Sequence, residues 1–427
     1  MTHVTLLYTD VAGYLRRVSV WIDGEPNTLS KVEANVDGSS ILGFESVERS
    51  DVVVRPASSR ILDLRRHGLH YAVFAGVFRA DGTRHENDPR HVAEALESHL
   101  ASMGLEARAG AEVEFYVVER ALAEVGTRTQ KLVVEASLPA KGLEGAARKA
   151  YNLAAKLPHE DVVEAVVGDL TSLGYNVSKV HRENGTSGQV ELASGQLGPT
   201  ELGDFVQLAK LLARLEAKER GLEAIFLPKP FHGDYGSGMH VHVSLWSGFR
   251  NLFEGLSEEA RHFIGGILEH ARSLAAFTNP TANSYRRLVE GFEAPVYVCW
   301  GVGNRSAMVR VPMRDTGRIE VRSPDPLANP YLAVAAIIMA GLDGIKRGLD
   351  PGEPVPYNVY RSPEGRIHPT IPRSLEEALD ALESDNEYLK PVFSSSLIES
   401  YVELKRQEAR LARSVPAPID YVLYLDL

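Results

Sequence analysis

The chain has 427 residues, 44% hydrophobic and 24% charged, long enough for two or three structural units and unlike the charge-rich compositions that stay unfolded. Its formal net charge of −11 argues against a protein whose main work is gripping nucleic acid, which needs a basic surface. The single cysteine, Cys299, excludes an intrachain disulfide and fits a reducing cytoplasm, no secretory leader is read in MTHVTLLYTDVAGYL, and the longest apolar stretch, Tyr331 to Leu342, is well short of the roughly 20 residues that span a bilayer.

From the N-terminus, VTLLYTDV, LRRVSVWID and VVVRP read as short strands, separated by turn-rich pieces such as Asp37-Gly38-Ser39-Ser40. They predict a small β-rich unit up to about residue 86. At Asp88-Pro89 the pattern changes, because HVAEALESHLASMG reads as an N-capped amphipathic helix ended by Gly104. The chain therefore divides near residue 87. Beyond it, AEVEFYVVE predicts a strand, EDVVEAVVGDLTSLG a helix ending at Gly174, YNVSKVHRE a strand and TELGDFVQLAKLLARLEAKERG a long helix. The class is α+β with antiparallel strands, since neither regular βαβ units nor a GxGxxG fingerprint occurs. IESYVELKRQEARLARS predicts a charged helix, and the tail IDYVLYLDL a strand that needs a partner.

Chemistry-bearing residues recur at a spacing of two. In Ala111–Glu119 that period puts Glu112, Glu114 and Tyr116 on one strand face, with the two carboxylates about 7 Å apart, where they repel unless water or a cation separates them. A solvated face explains this pair alone. GSGMHVHVSLW, however, likewise groups His240, His242 and Ser244, and Arg318-Ile319-Glu320-Val321-Arg322 sets a carboxylate between two arginines. HRENGTSGQVEL adds Glu183 and Glu191 on either side of a turn rich in Gly and small polar residues. Five glutamates with one histidine form an oxygen-dominated set that suits Mg²⁺ or Mn²⁺ far better than zinc. Arginines crowded between Arg286 and Arg322 beside such ions point to phosphate.

In order and spacing, VDGSSILGF, SDVVVRP, AEVEF, SGQVEL, IFLPKPF, GSGMHVHVSLW, NPTANSYRRLVEGFEAPV, NRSAMVRVP, RIEVRSPDPLANPYLAVAA and AGLDGI cover nearly the whole chain. Together they resemble glutamine synthetase, the ATP-dependent ligase that joins ammonia to the γ-carboxylate of glutamate. The resemblance implies a small N-terminal β-grasp-like domain, residues 1–86, and a large catalytic domain, residues 87–427, with a curved antiparallel sheet and flanking helices. It implies two or more Mg²⁺ or Mn²⁺ ions per site, one held by Glu114, Glu183 and Glu191, another by Glu112, His240 and Glu320. ATP contacts fall on His242, Ser244, Arg305 and Arg310, and glutamate contacts on Arg287, Arg322 and Gly236. Asp37 matches the aspartate that enters a neighbouring subunit's site to deprotonate ammonium, helped by Glu183. Tyr151, in the loosely matching KAYNLAAKLP, falls at the ammonium-site tyrosine, and Glu293 at the flap carboxylate that shields the reactive intermediate.

The implied partners are small substrates only, glutamate, ammonia and ATP, with no nucleic acid or membrane. The implied assembly is a homo-oligomer, a dodecamer of two hexameric rings with sites between subunits. Departures from the family pattern gather at the substrate end: Tyr235 stands for the usual asparagine and Glu290 for the usual proline. A γ-glutamyl ligase taking an organic amine or an altered acid is therefore the alternative. A non-catalytic relative is disfavoured, because every metal ligand is present. Tyr360, in NVYRSP, aligns with the tyrosine that some bacterial relatives adenylylate, and is read here as a plain surface tyrosine.

Overall fold

The computed structural model describes residues 2–23, 32–126, 128, 130–136, 150–151, 159–185, 188–415 and 423–427, and period-two apolar patterning folds those up to residue 79 into one sheet. Strands β1 (Thr2–Thr9), β2 (Leu15–Ile22), β3 (Ala34–Asp37), β4 (Asp51–Pro56), β5 (Leu62–Leu64) and β6 (His70–Arg79) take the order β2-β1-β6-β4-β3, with β5 on β6 and a parallel β1–β6 pair. Helix α1 (Pro89–Ser102) follows, with the Asp88 side chain accepting from the Arg90 N–H and Pro89 pre-set at the first turn.

A ten-stranded sheet carries the rest of the chain. Its elements are β7 (Glu106–Val125), β8 (Gln130–Ala136), α2 (Glu160–Ser172), β9 (Val177–Arg182), β10 (Gln189–Ser194), α3 (Pro199–Glu219), β11 (Glu223–Ile225), β12 (Met239–Ser247), β13 (Arg250–Asn251), α4 (Glu258–Glu269), α5 (Ala271–Thr278), α6 (Ser284–Arg287), β14 (Trp300–Val302), β15 (Val309–Val311), β16 (Ile319–Val321), α7 (Pro330–Arg347), α8 (Leu375–Ser384) and α9 (Ser395–Ser414). The order is β14-β15-β16-β12-β7-β10-β9, with β8 and β11 on β7 and β13 on β12, antiparallel except for β14–β15. The chain is thus α+β, as expected. Central strand β7 is long enough to pair with four neighbours, and the site forms along it.

Helix α7 is buried at every position from Pro330 to Leu342 and ends at Gly348 in the left-handed conformation. No helix among the described residues is long and apolar enough to cross a membrane. Buried polar ties join the layers: Arg90 clamps both oxygens of Asp204 on α3 at 2.9 and 3.0 Å, and the Tyr331 hydroxyl donates to the same carboxylate. Asn329 donates to the Asp10 carbonyl, seating the first sheet on α7.

The expected C-terminal strand is corrected by the structure. Its first part, 419–422, lies outside the described residues, and Leu423 begins a helical turn. Tyr424 and Leu427, three apart, are both buried, so a helical spacing satisfies the apolar tail where alternation would not. Its partner is the chain itself: Tyr424 donates to Glu408 of α9, and Tyr14 donates to the Leu423 carbonyl.

His270, between α4 and α5, lies 2.9 Å from Asp385 through Nδ1 and 3.0 Å from Asp343 through Nε2, and its ring stacks on Tyr388. Burial opposes its charge, but the two carboxylates outweigh burial and raise its pKa. A raised folded-state pKa gives stability that is complete below the unfolded value of about 6.5 and lost as pH rises through the folded value. His270→Gln is expected to cost about 2 kcal/mol at pH 6 and clearly less at pH 9 in urea unfolding. Equal losses at both pH values would remove the charge from this account.

Candidate functional site

In-register residues of paired antiparallel strands share a face and lie about 5 Å apart, and three such rows build the site. The first runs Lys179, Ala193, Glu112, His240 across β9, β10, β7 and β12. The second runs His181, Glu191, Glu114. The third runs Gly110, His242, Glu320, Arg310 from β7 through β12 and β16 to β15.

The side chains on these rows interlock. Glu112 meets His240 Nδ1 at 3.2 Å, His242 Nε2 at 3.3 Å and Lys179 Nζ at 3.3 Å. Glu191 meets Lys179 Nζ at 2.8 Å and His181 Nε2 at 3.0 Å, and His181 Nδ1 stands 3.6 Å from Glu183. Glu114 accepts from the Gly238 N–H at 2.7 Å, which holds the GSG turn against β7. A Cβ on Gly238 would come within 2.7 Å of the Arg287 guanidinium and 2.9 Å of His240 Nε2, so only glycine fits between them. Glu320 is fully buried, ion-paired to Arg310, with Arg322 Nε at 3.4 Å and His240 Nδ1 at 3.7 Å.

The electrostatics suit a bound cation. Burial, then repulsion by Glu183 and Glu191, raises the Glu114 pKa well above the carboxylate range, and burial with Glu191 raises that of Glu183. At Glu112 burial also pushes upward, but His240 and His242 outweigh it and hold the carboxyl well below its usual range. Glu320 is likewise drawn down against burial, to about 2, by Arg322 and the two histidines. Burial keeps His240 neutral at higher acidity than usual, leaving its ring electrons for a metal.

The donor atoms cluster as Glu112 with Glu191 and His240, as Glu112 with His242 and Glu320, and as His181 with Glu183 and Glu191. The oxygen-rich set fits hard divalent cations, and Glu320 Oε1 is buried without a hydrogen-bond donor, as a metal-directed oxygen would be. The clusters cut across the two ligand trios expected: Glu191 falls with Glu112, and Glu114 joins none of them, being bonded to the GSG turn instead.

A chamber of about 30 Å³ is lined by Glu114, Glu183, Glu191 and His240 together with Tyr235, Gly236, Arg287, Glu293, Arg305 and Arg322. A larger cavity of about 320 Å³ is lined by Arg108, Glu112, Lys179, His242, Ser244 and Arg318, among others. Glu112 links the two, since it bonds the His240 of the chamber. Arg310 is engaged by Glu320 and lines neither. Tyr151 is exposed, its ring 4.5 Å from that of His181, and also lines neither. Asp37 lies outside both cavities at the end of β3, its carboxylate accepting from Ser39 and Ser40, which lowers its pKa.

Over the chamber, Gly291 and Glu293 sit at positive φ, 96° and 61°. The Asn184 amide is 3.4 Å from Glu293, and Arg322 donates to the Glu293 carbonyl. Tyr360 is not the surface residue expected. Its hydroxyl donates to the Ala294 carbonyl at 2.6 Å, and burial raises its pKa, so it ties down the segment that carries Glu293.

Three site residues escape motif reading: Lys179, His181 and Gln189, whose amide donates to the Gly236 carbonyl. The signal for the first two is present, since a period of two along VSKVHRE puts Lys179, His181 and Glu183 on one face.

Residues 86–424 match the family model of the glutamine synthetase catalytic domain. The chain belongs to the glutamine synthetase family. It is 39% identical to the glutamine synthetase of Sulfolobus acidocaldarius, over 99% of this chain and 95% of that one, and 37% identical to that of Neisseria gonorrhoeae, over 99% and 96%. Among solved structures, the glutamine synthetase of Plasmodium falciparum superposes with a TM-score of 0.85 at 25% identity, covering 99% of this chain and 96% of that one. A GmaS complex with ADP also gives 0.85, at 28% identity, covering 100% and 97%. The family likeness thus extends over both sheets.

Proposed function

We propose that this member of the glutamine synthetase family is an ATP-dependent ligase that joins ammonia to the γ-carboxylate of glutamate through a γ-glutamyl phosphate. The observation that carries this reading is a chamber of mutually repelling carboxylates with the His240 imidazole, walled by Arg287, Arg305 and Arg322, beside a basic cavity. Mg²⁺ or Mn²⁺ held by Glu112, Glu114, Glu183, Glu191, His240 and Glu320 would supply Lewis-acid stabilisation of the transferring phosphoryl group. His242 and Ser244 face the cavity that takes ATP, and Arg305 offsets charge on the phosphates. Arg287 and Arg322 position glutamate as its carboxylate oxygen attacks the γ-phosphorus and ADP leaves. Ammonia then attacks the acyl carbon and phosphate departs. The proton lost by ammonium passes to Asp37 of a neighbouring copy, helped by Glu183, while Glu293 covers the intermediate.

The reading includes a 1–86 and 87–427 division, a cytoplasmic setting and a dodecamer of two rings. Asp37 stands apart from its own chain's chamber, in keeping with a shared site. Mixing inactive Asp37→Ala subunits with inactive Glu320→Gln subunits is expected to restore activity, because some interfaces then join two intact halves. Mixtures that stay inactive after confirmed subunit exchange would count against the shared site.

An aromatic wall favours a second reading. The Tyr235 and Phe292 rings meet edge to face at 6.0 Å, and Lys229 lies over Phe292 at 3.7 Å. Such a wall could receive an alkyl group, and one structural likeness is to GmaS, a γ-glutamylmethylamide synthetase. ATP-dependent phosphate release with glutamate plus ammonia, against glutamate plus a panel of small amines, separates the readings. Release only with an organic amine would overturn the first.

Tyr360→Phe removes the tie to the Ala294 carbonyl and frees the segment around Glu293. Phosphate release without matching amide product is expected to rise several-fold, as water reaches the acyl phosphate. Equal amounts of phosphate and amide in the variant would contradict this role.

A further inference from the structure

Lys179 stands among the metal-ligating groups with the charge of the ion they would bind. Its stem leaves β9 and crosses the neighbouring strand over Ala193, the small residue of that row, to reach Glu112 on β7, a span of two strand spacings or about 10 Å. A larger side chain at 193 would stand in that path. At the end of its reach Nζ sits 2.8 Å from Glu191 Oε1 and 3.3 Å from Glu112 Oε1. Glu112 and Glu191 are also the two carboxylates that cluster with His240. An ammonium and a divalent cation on the same two carboxylates repel each other, so one must yield.

The second position for the ammonium is in view. The Lys179 side chain is 44% exposed and lines the cavity of about 320 Å³ together with Arg108 and Arg318. Glu112 is the one acid among the described residues of that lining. An ammonium that turns away from Glu112 therefore enters surroundings that are basic or neutral, and the partner that matches it there is an anion. Beside His242 and Ser244, the fitting anion is a nucleotide phosphate.

We infer that Lys179 is an exchangeable cation: it neutralises Glu112 and Glu191 until divalent ions take those carboxylates, and then contacts the nucleotide phosphates in the adjoining cavity. The inference rests on the metal and nucleotide reading above and extends it by coupling the two ligands, since the ion that enters releases the lysine that nucleotide needs. A fixed salt bridge would give no such coupling.

The test is binding, not turnover. In the full chain, Lys179→Met keeps the length of the stem and removes the charge. Mn²⁺ titrated into nucleotide-free protein, followed by the loss of free-ion electron paramagnetic resonance signal, is expected to bind about tenfold more tightly to the variant. ADP at saturating Mn²⁺ is expected to bind about tenfold more weakly, and Lys179→Arg to recover most of the ADP affinity. Circular dichroism and thermal melting of both variants confirm that they fold. Unchanged Mn²⁺ and ADP affinities in a folded Lys179→Met protein would overturn this inference alone. Wild-type protein that takes up no Mn²⁺ would overturn the metal reading itself, and this inference with it.

Discussion

Glu320→Gln is expected to lower kcat/KM for phosphate release about a thousandfold or more, with little change in the folded structure. Glu320 is fully buried on β16, held against Arg310, and belongs to one donor cluster with Glu112 and His242. Glutamine keeps the shape but removes the negative charge, so the cluster loses a ligand, and the buried Arg322 and the partly buried Arg310 lose their counter-charge. Lewis-acid stabilisation is worth several kcal/mol of barrier, and about 4 kcal/mol corresponds to about a thousandfold in rate. Glu320→Ala would add a cavity to the same loss, which is why glutamine is the cleaner change. Mn²⁺ titration should show a weakened site in parallel, and turnover near the wild-type rate would take Glu320 out of the ligand set.

The largest expected effect on stability lies far from the chemistry, where α4 crosses α7. Gly266 and Gly344 let two backbones nearly touch: a Cβ on Gly344 would lie 2.5 Å from the Gly266 nitrogen and 2.7 Å from its Cα, and nearer still to the His262 carbonyl. All three obstacles are main chain, which cannot swing aside as a side chain can. Gly344→Val is therefore expected to cost about 4 kcal/mol or more, above the usual range for overpacking and a large part of a margin of about 5–15 kcal/mol. Gly168 on α2 is the control, since a Cβ there meets nothing within 4 Å. Gly168→Ala should leave stability unchanged or raise it by up to about 1 kcal/mol. Thermal and urea unfolding of the two variants check the contrast, and a mild Gly344→Val would mean that the helices separate easily.

Much of the site was legible because its candidate ligands obey the period of a strand. Glu112 and Glu114, and His240 with His242, were placed on common faces, and the structure keeps them there. Register was not legible. Nothing local in AEVEF or MHVHV states that Glu112 lies opposite His240, or that Glu191 approaches Glu112, because register is set by pairings between segments about 80 and about 130 residues apart. Lys179 was passed over for a different reason: a base in a search for acids reads as a solvated charge until Ala193 is seen to open its path. Tyr360 was misread because one exposed-looking NVYRSP segment cannot reveal the carbonyl 66 positions earlier that its hydroxyl finds. The tail failed where a three-residue spacing of buried residues overrode alternation.

The rows across β7 have a consequence for folding and for protein supply. Donors that converge on one point come from β7, β10, β12 and β16, spread from Glu112 to Glu320, so no partly folded chain can present the assembled site. Long-range pairing of this kind is slow to form, and ions that recognise only its finished product act as a latch on the native state. At a free ion concentration 100 times the dissociation constant, such a latch adds about 2.7 kcal/mol to the unfolding free energy. On the proposed metal reading, the lifetime of the molecule is tied to the metal supply of its surroundings: depletion would expose the chain to unfolding and proteolysis, and lower the amount of enzyme as well as its rate.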